Sequence, residues 1–209
     1  MTFLVLFACA GLVLQAGETQ AQPIEITNLD DAGAGSLRQA IIDANMNPGS
    51  DEIVFQDSLT GTITLSTGEM AITDALTITG PGADVITIDA NDLSRIFNIT
   101  DGTATIIPVS ISGLRLIRGN QLEGGAILNL EDLTITSCVF SRNFANFFSG
   151  GAIDTEGILD VTDSVFSNNT TRDDVGGAII NRGTIENISG SIFRGNNSSA
   201  IFNSGTIQN

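Results

Sequence analysis

The chain has 209 residues and a formal net charge of −16 at pH 7, from 24 acidic and 8 basic residues. Such a charge argues against nucleic acid and anionic lipid surfaces as partners. The sequence contains no His, so catalytic devices built on an imidazole are excluded. Cys138 is the only cysteine after residue 21, so no intrachain disulfide is expected in the remainder of the chain.

Residues 1–21 have the form of a secretory signal peptide. Residues 3–14 are mostly apolar, polar residues follow, and Ala21 precedes the expected cleavage site. The segment departs from the usual pattern because the first basic residue is Arg38. We expect it to direct export to the extracellular space or to the outer membrane surface of the cell. No other stretch has the roughly 20 apolar residues of a transmembrane helix.

Residues 22–60 are predicted to form an amino-terminal cap. Residues 23–28 alternate between apolar and polar and indicate a strand. Ser36 and Gln39 have the spacing of a capping box, which marks the start of a helix. Apolar residues follow on one helical face at Leu37, Ala40, Ile41 and Ala44. A short amphipathic helix here would cover the open end of a stack of strands, whose edges would otherwise recruit other chains.

Residues 61–209 are predicted to form β coils, and the strand pattern already begins within the cap. Strand-like runs occur at residues 53–55, 62–65, 76–78, 85–88 and 96–99. Turn residues separate them at 80–82 and 89–92. Because no linker rich in Pro or Ser interrupts the chain, we expect one domain after the signal peptide.

Two motifs repeat with one period in the second half of the chain. Gly-Gly-Ala-Ile begins at Gly124, Gly150 and Gly176, in steps of 26 residues, and returns in altered form at Ser198. Phe-x-x-Asn keeps nearly the same period, with pairs at Phe140 and Asn143, Phe166 and Asn169, and Phe193 and Asn196. Two motifs that share a period indicate a repeat architecture.

The repeat unit favours a parallel β-helix, a solenoid of stacked coils. Apolar residues alternate at a period of two, as at Leu133 and Ile135, which is a strand pattern. About 26 residues at about 3.3 Å each suffice for three short strands and their turns. Such a unit cannot enclose a core alone, but it can when stacked on its neighbours about 4.8 Å away.

Stacking predicts structural roles for the repeated residues. We expect an internal column of offset-stacked rings at Phe140, Phe166 and Phe193. We expect the side chains of three asparagines to form hydrogen bonds with the backbone of the adjoining coil: Asn143, Asn169 and Asn196. Tight corners that require a positive φ are predicted at the glycine pairs Gly124 and Gly125, Gly150 and Gly151, and Gly176 and Gly177. Cys138 aligns with Ser164 and Ser191, so we expect a small inward residue rather than a reactive thiol.

The pairing of Gly-Gly-Ala-Ile with Phe-x-x-Asn, over about residues 117–209, resembles the repeats of chlamydial polymorphic outer membrane proteins. More broadly, it resembles the right-handed β-helix passengers of large bacterial surface proteins. Residues 35–41 also resemble the amino-terminal cap of many exported bacterial β-helix proteins. The resemblance implies an all-β fold, a right-handed parallel β-helix (solenoid) with a short amino-terminal capping α-helix. Because Ile207 aligns with Ile185 and the sequence then stops within a coil, we expect a longer protein with a carboxy-terminal anchor or barrel.

Two functional hypotheses follow. The first is an exported surface or secreted module, structural or adhesin-like, that binds an extracellular protein or glycan without catalysis or cofactor. The second is a polysaccharide-active enzyme similar to pectate lyases, with its catalytic coils missing or unrecognised. Such a lyase needs an arginine base beside carboxylates that hold Ca²⁺, and the nearest candidate is Arg172-Asp173-Asp174. We favour a solvated turn there.

Four other acidic residues are predicted to lie on an exposed face: Glu131, Asp132, Asp160 and Asp163. Asp154 is considered as a cation ligand, but the Asp-rich spacing of calcium-binding β repeats is not present. The sequence therefore predicts no catalytic, cofactor-binding or metal-binding residue.

Overall fold

The chain forms a parallel β-solenoid with one short helix in the part that the computed structural model describes, residues 22–147, 149–173 and 175–208. The predicted signal peptide at residues 1–21 lies outside the described residues. No helix in the described ranges is long and apolar enough to cross a membrane.

The helix α1 (Leu37–Met46) lies between the first two strands. Strands up to residue 112 are β1 (Ile24–Ile26), β2 (Asp51–Phe55), β3 (Gly61–Thr64), β4 (Met70–Ile72), β5 (Leu76–Thr79), β6 (Ile86–Asp89), β7 (Phe97–Ile99) and β8 (Pro108–Ser112). The next are β9 (Arg115–Ile117), β10 (Asn120–Gln121), β11 (Ile127–Asn129), β12 (Asp132–Thr136), β13 (Val139–Ser141), β14 (Phe144–Ala145), β15 (Ile153–Thr155) and β16 (Ile158–Thr162). The last are β17 (Val165–Ser167), β18 (Thr170–Thr171), β19 (Ile179–Asn181), β20 (Thr184–Ser189), β21 (Ile192–Arg194), β22 (Ile201–Asn203) and β23 (Thr206–Ile207).

Each coil contributes one strand to each of several parallel sheets. Sheet A has the order β1-β2-β5-β8-β12-β16-β20-β23, and sheet B has β3-β6-β9-β13-β17-β21. Sheet C has β4-β7-β11-β15-β19-β22, and the small sheet D has β10-β14-β18. In the regular coils the chain therefore passes from A to B, then D, then C, and back to A. The predicted parallel β-helix with one capping helix is confirmed, and the five strand runs predicted between residues 53 and 99 coincide with β2, β3, β5, β6 and β7.

Columns of aligned apolar side chains fill the interior. In sheet A, five residues stand in register on successive strands and are all buried: Ile53, Ile78, Ile111, Ile135 and Val161. The alternation seen in the sequence corresponds to inward and outward side chains on each strand. One insertion interrupts the register, because β20 contains a bulge at Glu186 between the positions that pair with Leu159 and Asp160.

The helix packs its apolar face onto the first coil. Leu37, Ala40, Ile41 and Ala44 are buried and belong to the same core as the strands. Ser36 caps the helix by accepting a hydrogen bond from the Gln39 backbone N–H at 3.2 Å. The reciprocal bond of a capping box, from the Ser36 backbone N–H to the Gln39 side chain, is replaced because this N–H donates to the Gly33 carbonyl at 3.1 Å. The Gln39 amide donates to Asp43 at 2.8 Å.

Asp31 holds the loop before the helix against the next coil. Its carboxylate accepts hydrogen bonds from Arg38 at 2.8 Å and from the backbone and hydroxyl groups of Ser66 and Thr67 at 2.8–2.9 Å. Burial by itself would raise the pKa of Asp31, but these hydrogen bonds favour the ionised form and lower the pKa below its usual value. Since β1 and β2 pair within sheet A, the cap is continuous with the solenoid.

Candidate functional site

The predicted phenylalanine column is present inside the solenoid. The ring centroids of Phe140 and Phe166 are 4.7 Å apart with the ring planes 1° from parallel, and those of Phe166 and Phe193 are 4.8 Å apart at 5°. Phe140 and Phe166 are fully buried, whereas Phe193 is partly buried. The spacing equals that of the strands, so each ring rests on the ring of the next coil.

The predicted asparagine positions form an internal ladder beside this column. The side-chain oxygen Oδ1 of Asn169 accepts from the backbone N–H and the side-chain amide of Asn143 at 3.1 and 3.0 Å. The Asn169 side-chain amide donates to the Phe140 backbone carbonyl at 3.1 Å. Asn196 repeats this arrangement with Asn169, at 2.9 and 3.1 Å. Asn143 and Asn169 are completely buried. The ladder therefore satisfies backbone groups at a corner where the strands end.

The glycine pairs have two different roles, which corrects the prediction of a positive φ for the whole pair. Gly124 and Gly176 do have positive φ values, of 56° and 60°, whereas Gly150 does not. A Cβ atom on Gly150 would instead collide with the Ile153 carbonyl oxygen. The second glycine of each pair is required for close approach instead. A Cβ atom on Gly151 would collide with the backbone of the next coil, at the carbonyl oxygens of Gly177 and Thr170. A side chain at this position would therefore force adjacent coils apart.

Cys138 is buried, and its backbone N–H donates to the Ser164 hydroxyl at 3.1 Å. The Ser164 N–H makes the equivalent bond to Ser191 at 3.1 Å, so the three aligned residues form another ladder. Burial raises the pKa of Cys138 to about 11, which leaves the thiol protonated at neutral pH. These contacts agree with the predicted inward structural residue.

Glu131 was predicted on an exposed face, and this prediction is wrong. The residue is 2 % exposed, and its carboxylate accepts the backbone N–H groups of Asp101 and Ile107, both at 3.0 Å. It therefore fixes the ends of the loop between β7 and β8. Of the other acidic residues assigned to that face, Asp163 is exposed, whereas Asp132 and Asp160 are half-buried.

Asp154 is fully buried in sheet C and is engaged by protein groups. It accepts a hydrogen bond from the Ser149 hydroxyl at 2.6 Å and forms an ion pair with Arg182. Within the described ranges, no group of three or more His, Cys, Asp or Glu side chains is arranged to hold a metal ion. The buried Asp154 carboxylate therefore has protein partners for both of its oxygens.

A concave surface lies where the chain enters sheet C. We use the term corner loops for the segments that lead from sheets B and D into the strands of sheet C. Four successive corner loops enclose a groove of about 750 Å³, which we call the corner groove. Its lining includes Glu69, Ser94, Arg95, Gln121, Leu122 and Phe147. Gly68 and Glu123 complete it.

A partly buried ion pair forms one part of the corner groove. Arg95 Nε lies 2.8 Å from a Glu69 carboxylate oxygen, and the other oxygen accepts from the Asn98 amide at 3.1 Å. The Arg95 side chain is only 11 % exposed, and its Nη1 has no hydrogen-bond partner among the described residues. The cap positions Glu69, because Arg38 donates to the backbone carbonyls of Gly68 and Glu69 at 2.6 and 2.8 Å.

The other part of the corner groove is apolar and exposed. Leu122 is 62 % exposed and Phe147 is 59 % exposed. Leu93, one residue before the lining residue Ser94, is 63 % exposed. Large apolar side chains grouped on a monomer surface are typical of a binding site. Sequence reasoning missed this groove, although apolar residues inside segments otherwise made of turn residues were a usable signal.

The lyase candidate lies on the next corner loop along the solenoid. Arg172 is exposed, and its backbone N–H donates to the Ala145 carbonyl at 3.1 Å. Extending the pairing of Thr171 with Ala145 places Asp173 level with Phe147. Asp174 lies outside the described residues, and the groove lining includes neither Arg172 nor Asp173.

Comparison of the chain with protein-family models, curated proteins and solved structures gives no significant match.

Proposed function

We propose that this chain is an exported bacterial β-helix module, at the cell surface or secreted, which binds an extracellular protein or glycan and catalyses nothing. The observation that carries the proposal is the corner groove, a concave surface with exposed Leu122 and Phe147 on a solenoid that is otherwise closely packed. Apolar side chains in such a position lose contact with water when a partner covers them, which stabilises the complex.

The solenoid suits a binding role because its rigid parts and its variable parts are separate. The repeated Phe and Asn side chains are committed to contacts between coils. The corner loops project from that framework, so their side chains can change without disturbing the core. Support for export comes from the signal-like residues 1–21 and from the likeness of the repeats to those of chlamydial polymorphic outer membrane proteins, right-handed β-helix proteins of the bacterial surface.

A polysaccharide lyase that uses Ca²⁺ is the second candidate function. The observation in its favour is the exposed Arg172 beside Asp173, on the corner loop next to the groove. In such an elimination the arginine base must lie within reach of the C–H proton that it removes, and an acid must protonate the leaving oxygen as the C–O bond breaks. We favour the binding module because Arg172 is exposed and neither it nor Asp173 lines the corner groove.

Labelled chain should bind saturably to the surface of animal or bacterial cells, and binding should weaken as salt rises from about 0.05 to 0.5 M because the chain is strongly acidic. Flow cytometry measures the binding of the labelled chain to the cells. Loss of binding after protease or glycosidase treatment of the cells identifies the partner as protein or glycan. Heat-unfolded chain serves as the control. Binding that does not saturate, or that equals the control on every surface, would contradict the proposed function.

A further inference from the structure

We infer that the corner groove binds an extended peptide segment in which an apolar side chain lies next to a Lys or Arg. The inference rests on the proposed binding function and names the ligand of that site. It combines three observations: the apolar wall formed by Leu122 and Phe147, the unpaired carboxylate of Glu123, and the spacing of the four corner loops.

The apolar wall requires an apolar occupant. Leu122 and Phe147, on adjacent coils, are each about three-fifths exposed. A glycan can offer them only the CH face of a sugar ring, which carries less apolar surface than a Leu, Val or Phe side chain. A Leu, Val or Phe side chain of a peptide instead removes apolar surface from water on both molecules.

The charge of the groove selects a cation next to that apolar side chain. Arg95 already neutralises Glu69 through their 2.8 Å contact. Glu123, in contrast, is exposed and forms no ion pair with any described residue. The groove therefore has one uncompensated negative charge, within a chain whose net charge is −16. A Lys or Arg of the partner would pair with Glu123, and the overall charge would speed the encounter.

The dimensions and the free donor fit a peptide backbone. Four loops at about 4.8 Å intervals span about 14 Å, the length of about four extended residues. Arg95 Nη1 is buried and lacks an acceptor among the described residues. Nη1 is closed to solvent in the unbound chain, so a carbonyl oxygen of the occupant would reach it after a rotamer change of Arg95, of the kind common on binding.

Fluorescence anisotropy with synthetic peptides tests the inference. A labelled peptide of about six alternating Leu and Lys residues, long enough to fill the groove, should bind the full chain. Replacing every Lys by Glu, or every Leu by Ser, should weaken binding at least about tenfold. The Phe147→Ala and Glu123→Gln variants should each weaken binding of the Leu-Lys peptide by about tenfold.

Matched variants at the opposite corner provide the control. Ile106 is 50 % exposed and Glu156 is exposed, and both lie between sheets C and A. Ile106→Ala and Glu156→Gln should leave the affinity unchanged. Equal affinity in the groove variants and in these controls would overturn the inference, as would displacement of the peptide by a neutral oligosaccharide.

The outcome is separable from that of the proposed function. One outcome is that the chain does not bind the Leu-Lys peptide, while the Phe147→Ala and Glu123→Gln variants still bind cells. This outcome would overturn the groove inference and leave the proposed function intact. Peptide binding that depends on Phe147 and Glu123, in a chain that binds no cell surface, would support the groove inference and count against the proposed function.

Discussion

Replacing Phe166 by Ala should lower the free energy of unfolding by about 3–5 kcal/mol. The ring is fully buried and stacks on Phe140 on one side and on Phe193 on the other. The substitution removes both stacking contacts, each worth about 0.5–1.5 kcal/mol beyond the area buried. It also leaves a cavity that the neighbouring coils cannot fill without losing their strand pairing.

Urea denaturation of the purified variants measures this effect. Phe166→Leu keeps most of the buried volume, so it should cost clearly less than Phe166→Ala. Phe147→Ala removes the same side chain from an exposed position and should change the free energy of unfolding by less than about 0.5 kcal/mol. An unchanged urea midpoint in Phe166→Ala would show that the column does not support the fold.

Replacing Asn169 by Ala should cost at least about 3 kcal/mol of the free energy of unfolding. The change removes the acceptor for the Asn143 backbone and amide groups and the donor to the Phe140 carbonyl. Asn169 is completely buried, so little water can replace these partners, and each unsatisfied buried group costs about 1–3 kcal/mol.

The adjacent residue provides a matched control for this prediction. Asn168 is exposed and has a φ of 55°, so Asn168→Gly keeps the backbone conformation and should stay within about 1 kcal/mol of the wild type. The double variant Asn143→Ala with Asn169→Ala should be less destabilised than the sum of the two single variants, because the residues share hydrogen bonds. Strict additivity in thermal and urea unfolding would count against a connected ladder.

The coil architecture could be predicted because its determinants recur at a fixed period. Phe140 and Phe166 are in register on β13 and β17, as their separation of 26 residues requires. The alternation of apolar residues shifts by one residue between Ile185 and Ile188, and this shift corresponds to the bulge in β20. The helix could be predicted from Ser36 and the apolar spacing that follows it, since both signals are local.

The corner groove was not predicted because the residues that form it share no motif, and the exposed apolar residues of its loops were its only sequence signal. Glu69, Arg95, Leu122 and Phe147 are separated by 25 to 27 residues, close to the repeat period, but each has a different side chain. Burial of Glu131 was missed for a related reason. Its hydrogen-bond partners lie in an irregular loop of the preceding coil, at sequence separations of 30 and 24 residues. The close approach at Gly151 likewise depends on the neighbouring coil.

Incubating the purified chain with polygalacturonate and other acidic glycans, with Ca²⁺ present, tests most directly whether this module binds rather than catalyses. The formation of unsaturated products is followed by ultraviolet absorbance, with Arg172→Ala as the matched variant. The proposed function predicts no product above the level of chain-free buffer for either protein. Turnover by the wild type that disappears in Arg172→Ala would contradict the binding-module account and support the polysaccharide lyase.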